Sequence, residues 1–530
     1  MTLSNLPIGI DLGTTNSVVA TVSDGGFEVV PNARGDKKTP SVVSYDQDSQ
    51  SVFAGRQADN RAIHHPEKTV KSVKRHMGTD ETFSLGPDQY HPEEISGLIL
   101  KKLIEDAGNE LNRPLSNAVI TVPAYFSDAQ RRATKRAGEI AGIDVDRVLP
   151  EPTAACLAYG LQSTAGKRVL VYDLGGGTFD CSAVKIDDGV IETLGVDGAT
   201  DLGGDDYDSL IVNWVADTIA DEYGSPPALN NPKVNQRLFG AAKEVKHELS
   251  SRTSAIHQLP FLELQNGDTI DYELNITRGE FAEITAGPTQ ETIDIMNGFL
   301  NDLGLTPSQF DDVLLVGGAT RIPAIRSAVE QFFGQEPRTD LNPDQIVALG
   351  AATQAAILND IEVPAVSTTN IVPSTEVSQG EAAINEGSNP ILIDALPRTL
   401  GVELQEPKTN DTYFQPLIQS GESIPARAEI NVTPVRAHQT KTRFTIYQGD
   451  EGTLEGNDEI GELVLGPYPP KELDEYSQRA TMEIDSDGII TFTAVSLDAD
   501  VSDTTEIETR FNREEETLGG TNPDLPALHR

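Results

Sequence analysis

The stretches GIDLGTTN, at residues 9–16, and VYDLGGGTFD, at residues 171–180, carry the same Asp-Leu-Gly turn at two places about 160 residues apart. Each turn lies between short apolar runs, which predicts a β-hairpin with a tip rich in glycine and threonine. Backbone N–H groups at such a tip can approach phosphate oxygens, and Asp11 and Asp173 can hold a hydrated Mg²⁺ beside them. Two facing hairpins predict a duplicated architecture that grips a nucleotide between two lobes.

The bulk composition is that of a large folded protein. A chain of 530 residues, 38% of them hydrophobic, is long enough for about two to four domains. Residues 1–7 lack a basic segment followed by an apolar one, and no apolar run is long enough to span a bilayer. Cys156 and Cys181 are expected to be buried small residues in a reducing compartment. We therefore expect a cytoplasmic protein without a membrane partner.

The charge balance is strongly acidic. The formal net charge is −43, from 83 acidic and 40 basic residues, and the acid is spread along the whole chain. This balance argues against nucleic acids and anionic membranes as partners. A distributed acidic surface favours a halophilic protein, in which salt screens the self-repulsion. An acidic mesophilic protein is the alternative.

The pattern of apolar residues divides the chain into four parts. In residues 1–360, β-hairpins alternate with amphipathic helices, which predicts an α/β domain. Residues 361–393 combine an acidic insertion rich in Pro, Ser and Thr (361–389) with a short apolar linker. Residues 394–513 alternate apolar and polar positions, with turn residues every ten or so, which predicts a β-sandwich. Residues 514–530 are expected to form a tail.

Local signals predict particular turns and helix starts. Ser127-Asp128-Ala129-Gln130 is a capping box before a basic helix that ends near Ala141. Asn342-Pro343 supplies an N-cap and a first-turn proline before a helix over residues 344–358. Asp485-Ser486-Asp487-Gly488 predicts a hairpin turn within the sandwich.

Four further segments of the first domain bear on a nucleotide. Residues 312–323 read as a buried strand, a glycine pair and a helix start, and Arg321 there could stack on a purine. Residues 201–206 carry another glycine pair. Glu151 at a helix start can satisfy backbone N–H groups or orient a water. Lys74, in a small basic patch, is either a phosphate contact or an ordinary solvated lysine. Without a Ser–His–Asp arrangement or a reactive cysteine, these residues indicate phosphoryl transfer by positioning and electrostatics.

Six motifs stand in the order found in the 70-kDa heat-shock (DnaK) chaperone family. They are DLGTTN (11–16), VPAYF (122–126), EPTAA (151–155), DLGGGTFD (173–180), LGG (202–204) and GGATR (317–321). Any one of them could occur in a sugar kinase or an actin-like ATPase, but the six in order are specific to this family. The resemblance covers residues 7–360 strongly and 390–513 moderately. It implies an α/β actin-like two-lobed ATPase domain with a ribonuclease H-like duplication, followed by an all-β sandwich domain.

The resemblance assigns roles to residues of the first domain. Lys74 would position the attacking water, Asp11 and Asp173 would be the Mg²⁺-side carboxylates, and Glu151 and Asp180 would orient water and ions. Together with Thr178 these are the expected catalytic residues. The expected cofactors are ATP or ADP, Mg²⁺ and K⁺. The expected nucleotide-binding residues are Gly13, Thr14, Thr15, Asn16, Gly175, Gly176, Gly177, Gly203, Gly204, Lys246, Ser250, Gly317, Gly318, Arg321 and Asp344.

The resemblance also implies coupling between the two domains. Residues 391–394 are similar to the apolar linker that docks on the ATPase domain when ATP is bound. The relay of the nucleotide state is expected to use Pro123, Arg131, Arg147, Leu392 and Asp394. The peptide cleft of the sandwich is expected at or near Val402, Val432, Val435, Thr442 and Phe444.

Several positions depart from the family pattern. Lys243 stands where the family usually has Glu, Pro150 where it often has Asn, and Thr442 where an apolar pocket residue is expected, so the cleft is expected to be more polar than usual. The family's helical lid has no counterpart after Arg513, so bound peptide is expected to exchange quickly.

The favoured interpretation is an ATP-hydrolysing, protein-folding chaperone of the stress response that binds extended apolar segments of unfolded proteins. A J-domain co-chaperone and a nucleotide-exchange factor are candidate partners, and a monomer is expected. A nucleotide-dependent regulatory or binding protein of the same fold, without a productive folding cycle, is the alternative. A small-molecule kinase of the same superfamily is a third hypothesis, against which the sandwich and the linker argue.

Overall fold

The polypeptide is represented by a computed structural model, which describes residues 7–23, 26–160, 166–187, 189–338, 342–359, 361, 390–406, 409, 411–498, 501–506 and 528. The predicted acidic insertion, apart from Ile361, and the predicted tail, apart from Leu528, lie outside the described residues. Among the described residues, no helix combines the length and the hydropathy that a bilayer crossing needs.

The first lobe is built on a mixed sheet. Its strands are β1 (Ile8–Asp11), β2 (Asn16–Ser23), β3 (Gly26–Val30), β4 (Thr39–Pro40), β5 (Val43–Asp46), β6 (Ser51–Ala54), β7 (Thr69–Val70), β8 (Phe83–Leu85), β9 (Asp88–Tyr90), β10 (Asn117–Val122) and β11 (Asp144–Pro150). Its helices are α1 (Arg56–Ala62), α2 (Pro92–Glu110) and α3 (Asp128–Ala141). The main sheet has the order β11-β10-β1-β2-β3, with β1, β2 and β3 antiparallel and β10 and β11 parallel to β1.

The second lobe repeats this arrangement. Its helices are α4 (Glu151–Gly160), α5 (Gly204–Tyr223), α6 (Pro232–Leu249), α7 (Arg278–Ile284), α8 (Ala286–Asp302) and α9 (Pro323–Phe333), while α10 (Ile346–Leu358) follows them in the chain and packs on β1, β2 and β10 of the first lobe. Its strands are β12 (Lys167–Leu174), β13 (Phe179–Asp187), β14 (Val190–Ala199), β15 (Ser254–Glu263), β16 (Thr269–Thr277) and β17 (Asp312–Val316). Strands β12, β13 and β14 form an antiparallel meander, and β17 lies parallel to β12. The same meander with a parallel neighbour on its first strand confirms the duplication.

The helices α4 and α10 pack against each other between the two sheets. Their side chains share one buried apolar cluster with residues of β2, β3 and β12. The two backbones lie very close, since a Cβ added to Gly350 would lie 1.8 Å from the carbonyl oxygen of Ala154. The two halves of the domain are therefore in contact where small residues of α4 and α10 let these helices pack closely. The two hairpin tips lie on either side of the cleft next to this contact.

The local signals had different outcomes. The capping box is confirmed, since the Ser127 N–H donates to Oε1 of Gln130 at 2.9 Å and α3 spans Asp128–Ala141. The helix predicted over residues 344–358 is present, but its regular part, α10, begins two residues later, at Ile346. The Asn342 side chain accepts from the Asp344 N–H at 3.1 Å, as an N-cap residue does, and the Asn342 carbonyl accepts from the Ile346 N–H at 3.1 Å.

The sandwich follows a strand that belongs to both domains. That strand, β18 (Ile391–Ala395), is followed by β19 (Leu400–Gln405), β20 (Thr412–Ile418), β21 (Ser423–Ile424), β22 (Ala426–Val432), β23 (Thr442–Gln448), β24 (Asp458–Leu465), β25 (Gln478–Ile484), β26 (Ile490–Ser496) and β27 (Val501–Glu506). The sheets β20-β19-β23-β24 and β22-β25-β26-β27 enclose an apolar core. The predicted turn at residues 485–488 joins β25 to β26.

Candidate functional site

The two hairpin tips face each other across a cleft with a cavity volume of about 280 Å³. Eighteen of the residues predicted from the sequence line it: Asp11, Gly13, Thr14, Thr15, Asn16, Lys74, Glu151, Asp173, Gly175, Gly176, Thr178, Gly204, Lys246, Ser250, Gly317, Gly318, Arg321 and Asp344. Three more predicted residues, Gly177, Asp180 and Gly203, lie next to the lining residues without lining the cavity themselves. The tertiary structure thus brings together residues that are up to several hundred positions apart in the chain.

The tips are shaped for an anion. A Cβ added to Gly176 would lie 2.0 Å from Oγ1 of Thr15, so only glycine lets the two tips approach this closely. The Thr15 hydroxyl is buried and finds no hydrogen-bond partner among the described residues. A buried donor without an acceptor is costly, and a phosphate oxygen between the tips would satisfy it. The residues present therefore fit the phosphate chain of a nucleotide.

Lys74 lines the same cleft as the tips. It comes from the short 3₁₀ turn Val73–His76, and its Nζ donates to Oε1 of Glu151 at 2.6 Å. Both side chains are buried, with 6% and 10% of their surface exposed. The solvated alternative for Lys74 is therefore wrong. Glu151, the first residue of α4, is held by this ion pair.

Three carboxyl groups surround this pair. Burial, with repulsion from Glu151, raises the pKa of Asp11 and of Asp180 to about 7 each, and the pKa of Asp173 is raised well above its usual range. The nearby Lys74 ammonium opposes each of these shifts. Asp180 accepts a hydrogen bond from the Tyr125 N–H at 3.0 Å. Carboxyl groups crowded in this way are stabilised as anions by a bound cation.

The donor set suits a hydrated metal ion better than a directly ligated one. Among the described residues, no group of three or more His, Cys, Asp or Glu side chains is arranged to hold a metal ion. Mg²⁺ usually keeps several waters and takes one or two carboxylates together with substrate phosphates. Asp11 and Asp173, one beside each tip, match that requirement.

The other end of the cleft is lined by cationic side chains. Lys246 pairs with Asp208 at 2.8 Å and donates to the Gly204 carbonyl at 2.6 Å. Arg321 and Lys38 both bind the Asp344 carboxylate, at 2.7 and 3.2 Å.

Three basic residues at this end of the cleft were not predicted as site residues. They are Lys38, Lys243 and His247. Burial lowers the pKa of His247 to about 4, with Lys246 and Lys243 adding to the effect. A pair of lysines at 37–38 in an acidic chain was a signal that could have pointed to Lys38.

Two polar contacts close the cleft from lobe to lobe. The Arg75 guanidinium binds both carboxylate oxygens of Asp206, at 2.6 and 3.4 Å. The Ser72 hydroxyl donates to Asp205 at 2.8 Å. These contacts join the turn that carries Lys74 to the start of α5, and neither pair was predicted.

The linker is docked on the second lobe. Strand β18 runs parallel to β14, with Leu392 opposite Ile191, and extends its sheet. Asp394, only 3% exposed, binds Arg147 at 3.2 Å and accepts from the Thr153 hydroxyl at 2.6 Å. Arg147 and Thr153 stand on either side of Glu151 in the chain.

A hairpin of the sandwich packs on helix α3. The Asp487 carboxylate binds Lys135 at 3.4 Å, and the buried Arg131 reaches the Asp487 carbonyl at 3.5 Å. Arg131 also donates to the carbonyls of Ala124 and Phe126, at 3.0 and 3.1 Å, next to the buried Pro123. The basic helix and the acidic turn were both recognised in the sequence, but their pairing was not.

The residues predicted for the peptide cleft are distributed differently. Val402 and Phe444, 0% and 2% exposed, belong to the core of the sandwich. Val432 and Thr442 are half-buried and Val435 is 50% exposed. Their role in binding a peptide stays a prediction.

A duplicated α/β fold whose glycine-rich tips face a carboxylate cluster across a cleft defines an actin-like nucleotide-binding ATPase. The family model described as "Hsp70 protein" matches residues 7–85, 81–387 and 376–519. The chain is 40% identical over 515 residues to "Chaperone protein DnaK" of Thermotoga neapolitana, covering 96% of this chain and 82% of that relative. It is 39% identical over 484 residues to "Chaperone protein DnaK" of Halobacterium salinarum, covering 91% and 72%.

The chain therefore belongs to the Hsp70 family of ATP-dependent chaperones. The predictions of this family, of an actin-like ATPase domain followed by a β-sandwich, and of ATP hydrolysis are confirmed. Binding of ATP, ADP and Mg²⁺, and of unfolded polypeptide, is general to the family. The small-molecule kinase hypothesis is left without support.

Proposed function

We propose that this chaperone couples ATP hydrolysis to peptide binding through residues 147–153. The observation that carries the proposal is that both sites use this one segment. Glu151 holds Lys74 in the cleft at 2.6 Å, while Arg147 and Thr153, at 3.2 and 2.6 Å, hold Asp394 of the linker. A change at Lys74 or Glu151 on nucleotide binding is thereby transmitted to the docked linker.

The chemistry in the cleft rests on positioning. Lys74 and Glu151, with Asp180, hold the attacking water near the terminal phosphate, and the tips at Thr14, Thr15 and Thr178 hold the phosphate chain. Asp11 and Asp173 would hold Mg²⁺, which would supply positive charge next to the phosphates. The carboxyl groups of Glu151 and Asp180 would provide the negative charge that a K⁺ ion needs. Arg321, Lys246 and Ser250 hold the nucleoside end.

The sandwich is proposed to bind extended segments of unfolded proteins, with release controlled by docking. A J-domain co-chaperone and a nucleotide-exchange factor are proposed as further partners of a monomeric chain. We also propose a halophilic protein, since 83 acidic against 40 basic residues repel one another without screening. Its melting temperature is then expected to rise with KCl up to molar concentration. Cytoplasmic localisation remains a prediction, which cell fractionation would test.

A second candidate function is nucleotide-dependent binding without a folding cycle. The observation in its favour is the polar Thr442 at a position predicted to contact peptide, because a polar pocket holds apolar segments weakly.

The test is single-turnover ATP hydrolysis in molar KCl with Mg²⁺, with and without an extended apolar peptide. A slow basal rate that the peptide accelerates is expected, since peptide binding competes with docking. The matched control is the same peptide made charged at its apolar positions. A rate indifferent to both peptides would contradict the coupling and favour the second candidate.

A further inference from the structure

One end of the sandwich carries a cluster of polar side chains between its two sheets. Thr442 begins β23 in one sheet, and Gln478 begins β25 in the other. The Thr442 hydroxyl lies 2.9 Å from Oε1 of Gln478 and 2.6 Å from the hydroxyl of Tyr468. Gln478 and Tyr468 are 1% and 3% exposed. A polar cluster therefore crosses the sandwich at a place where a core is normally apolar.

This end coincides with the predicted peptide cleft. Val432, the last residue of β22, pairs with Gln478 across the sheet. The loop between Val432 and Thr442, which contains Val435, lies against the segment 468–476. There the Tyr468 N–H donates to the Thr440 carbonyl at 2.9 Å, and the Tyr476 hydroxyl donates to the Gln439 carbonyl at 2.6 Å. Of the five predicted cleft residues, Thr442 thus belongs to the polar cluster, Val432 pairs with Gln478, and Val435 lies in the adjoining loop.

The hydrogen bonds of the cluster leave one donor group unused. Thr442 has a single hydroxyl proton, which it donates to Gln478, so the Tyr468 hydroxyl donates to Thr442. The Nε2 amide of Gln478 is buried and has no acceptor among the described residues. A buried amide without a partner is unfavourable, and it needs an acceptor from outside the cluster.

We infer that this cluster makes the predicted peptide cleft select an uncharged polar side chain of the bound polypeptide: Ser, Thr, Asn or Gln. The inference rests on the proposed peptide binding by the sandwich. The side-chain oxygen of such a residue accepts from the Gln478 amide, and its own N–H or O–H can donate to the free lone pairs of Tyr468. An apolar side chain would seal the amide away from water without an acceptor. An anionic side chain is disfavoured by the net charge of −43.

The test compares peptides that differ only in the central residue. The peptides are short and extended, with lysine at both ends and apolar residues on either side of the central position. Two matched pairs are compared at that position: Thr with its isostere Val, and Asn with the similarly shaped Leu. Binding to the full chain in ADP and molar KCl is measured by fluorescence anisotropy. The Thr and Asn peptides are expected to bind about tenfold more tightly than the Val and Leu peptides, which corresponds to about 1.4 kcal/mol.

Variants of the chain tie this preference to the cluster. Gln478→Met and Gln478→Leu remove the amide and are expected to abolish or reverse it. Gln448→Met is the matched control. Gln448 is also a buried glutamine, 2% exposed with an unpartnered side-chain oxygen, but it ends β23 at the opposite end of the sandwich. Should Gln478→Met fail to fold, Gln478→Leu makes the same test, and the comparison of the peptides on the unaltered chain stands without either variant.

The outcomes separate this inference from the proposed function. A polar preference that is lost in Gln478→Met or Gln478→Leu and kept in Gln448→Met supports it. Equal affinities, or a preference for Val and Leu, would mean that water satisfies the amide, and would overturn the inference while peptide binding stands. Failure of every peptide to bind and to change ATP hydrolysis would overturn the proposed function, and the inference with it.

Discussion

The ion pair between Arg147 and Asp394 offers a direct test of how the linker is held. Asp394 is 4% exposed at its side chain and Arg147 12%, and their charged atoms lie 3.2 Å apart. Replacing Asp394→Asn removes the charge and keeps the size of the side chain. The amide oxygen can still accept from the Thr153 hydroxyl, now at 2.6 Å from the carboxylate, so that hydrogen bond survives.

The size of the effect follows from this burial. Removing one partner of a buried, hydrogen-bonded charge pair costs about 2–5 kcal/mol. Because the Thr153 bond is retained, the lower limit applies, and about 2 kcal/mol is a factor of roughly 30 in the docking equilibrium. We expect the substitution to favour the undocked linker by this factor, with the sandwich and the ATPase domain still folded.

Hydrogen exchange of residues 391–395 with ATP present reports docking, and ATP-triggered peptide release reports its consequence. In Asp394→Asn we expect faster hydrogen exchange of the linker, because its protection is lost, and less ATP-triggered peptide release. Glu462→Gln is the control, because Glu462 pairs with Arg443 at 3.3 Å on the exposed surface of the sandwich. Unchanged exchange protection and release in Asp394→Asn would refute the assignment of Asp394 to the relay.

Three further predictions concern the cleft. Gly176→Ala places a methyl group 2.0 Å from the Thr15 hydroxyl. Calorimetry should show ATP binding weakened by about 100-fold or more, because the methyl group both clashes with the Thr15 hydroxyl and displaces a phosphate contact. The control is Gly240→Ala on α6, which has open space around it and should leave ATP binding unchanged. Lys74→Met should slow single-turnover hydrolysis by about 100-fold or more with ATP still bound, and normal turnover would exclude Lys74 from the chemistry. Since Asp11 and Asp180 have a pKa of about 7 when folded and 3.8 ordinarily, the unfolded chain gives up these protons first. The melting temperature in EDTA should therefore fall as pH rises from about 4 to about 7, and Asp11→Asn should flatten that slope; an unchanged slope would contradict the assignment.

Much of the nucleotide site was predictable because its signals are local. A glycine-rich tip between two apolar strands is encoded by neighbouring residues, and residues 9–16 and 171–180 form the hairpins that they predict. The capping box at Ser127 also acts within one helical turn. Asn342 also acts locally, since its side chain accepts from the Asp344 N–H as an N-cap residue does, although the regular helix begins two residues after the predicted start.

The pairings in the site were not predictable in this way. Lys74 is paired with a carboxylate 77 residues away and Arg75 with one 131 residues away. In the sequence Lys74 could equally have been a solvated lysine. Its burial goes with contacts to Glu151 and to the ring of Phe126, both distant in the chain, which no local pattern encodes.

The sequence by itself determined the family, the duplicated hairpins and the residue types of the nucleotide site, because those depend on short-range backbone preferences and on motifs in a fixed order. Only the tertiary structure decided which charges meet, as between Asp487 and Lys135, 352 residues apart. It also revealed the unpartnered amide of Gln478 beside Thr442. The physical reason is that burial and ion pairing depend on the distance between atoms in space, and that distance is set only when the domains have packed together.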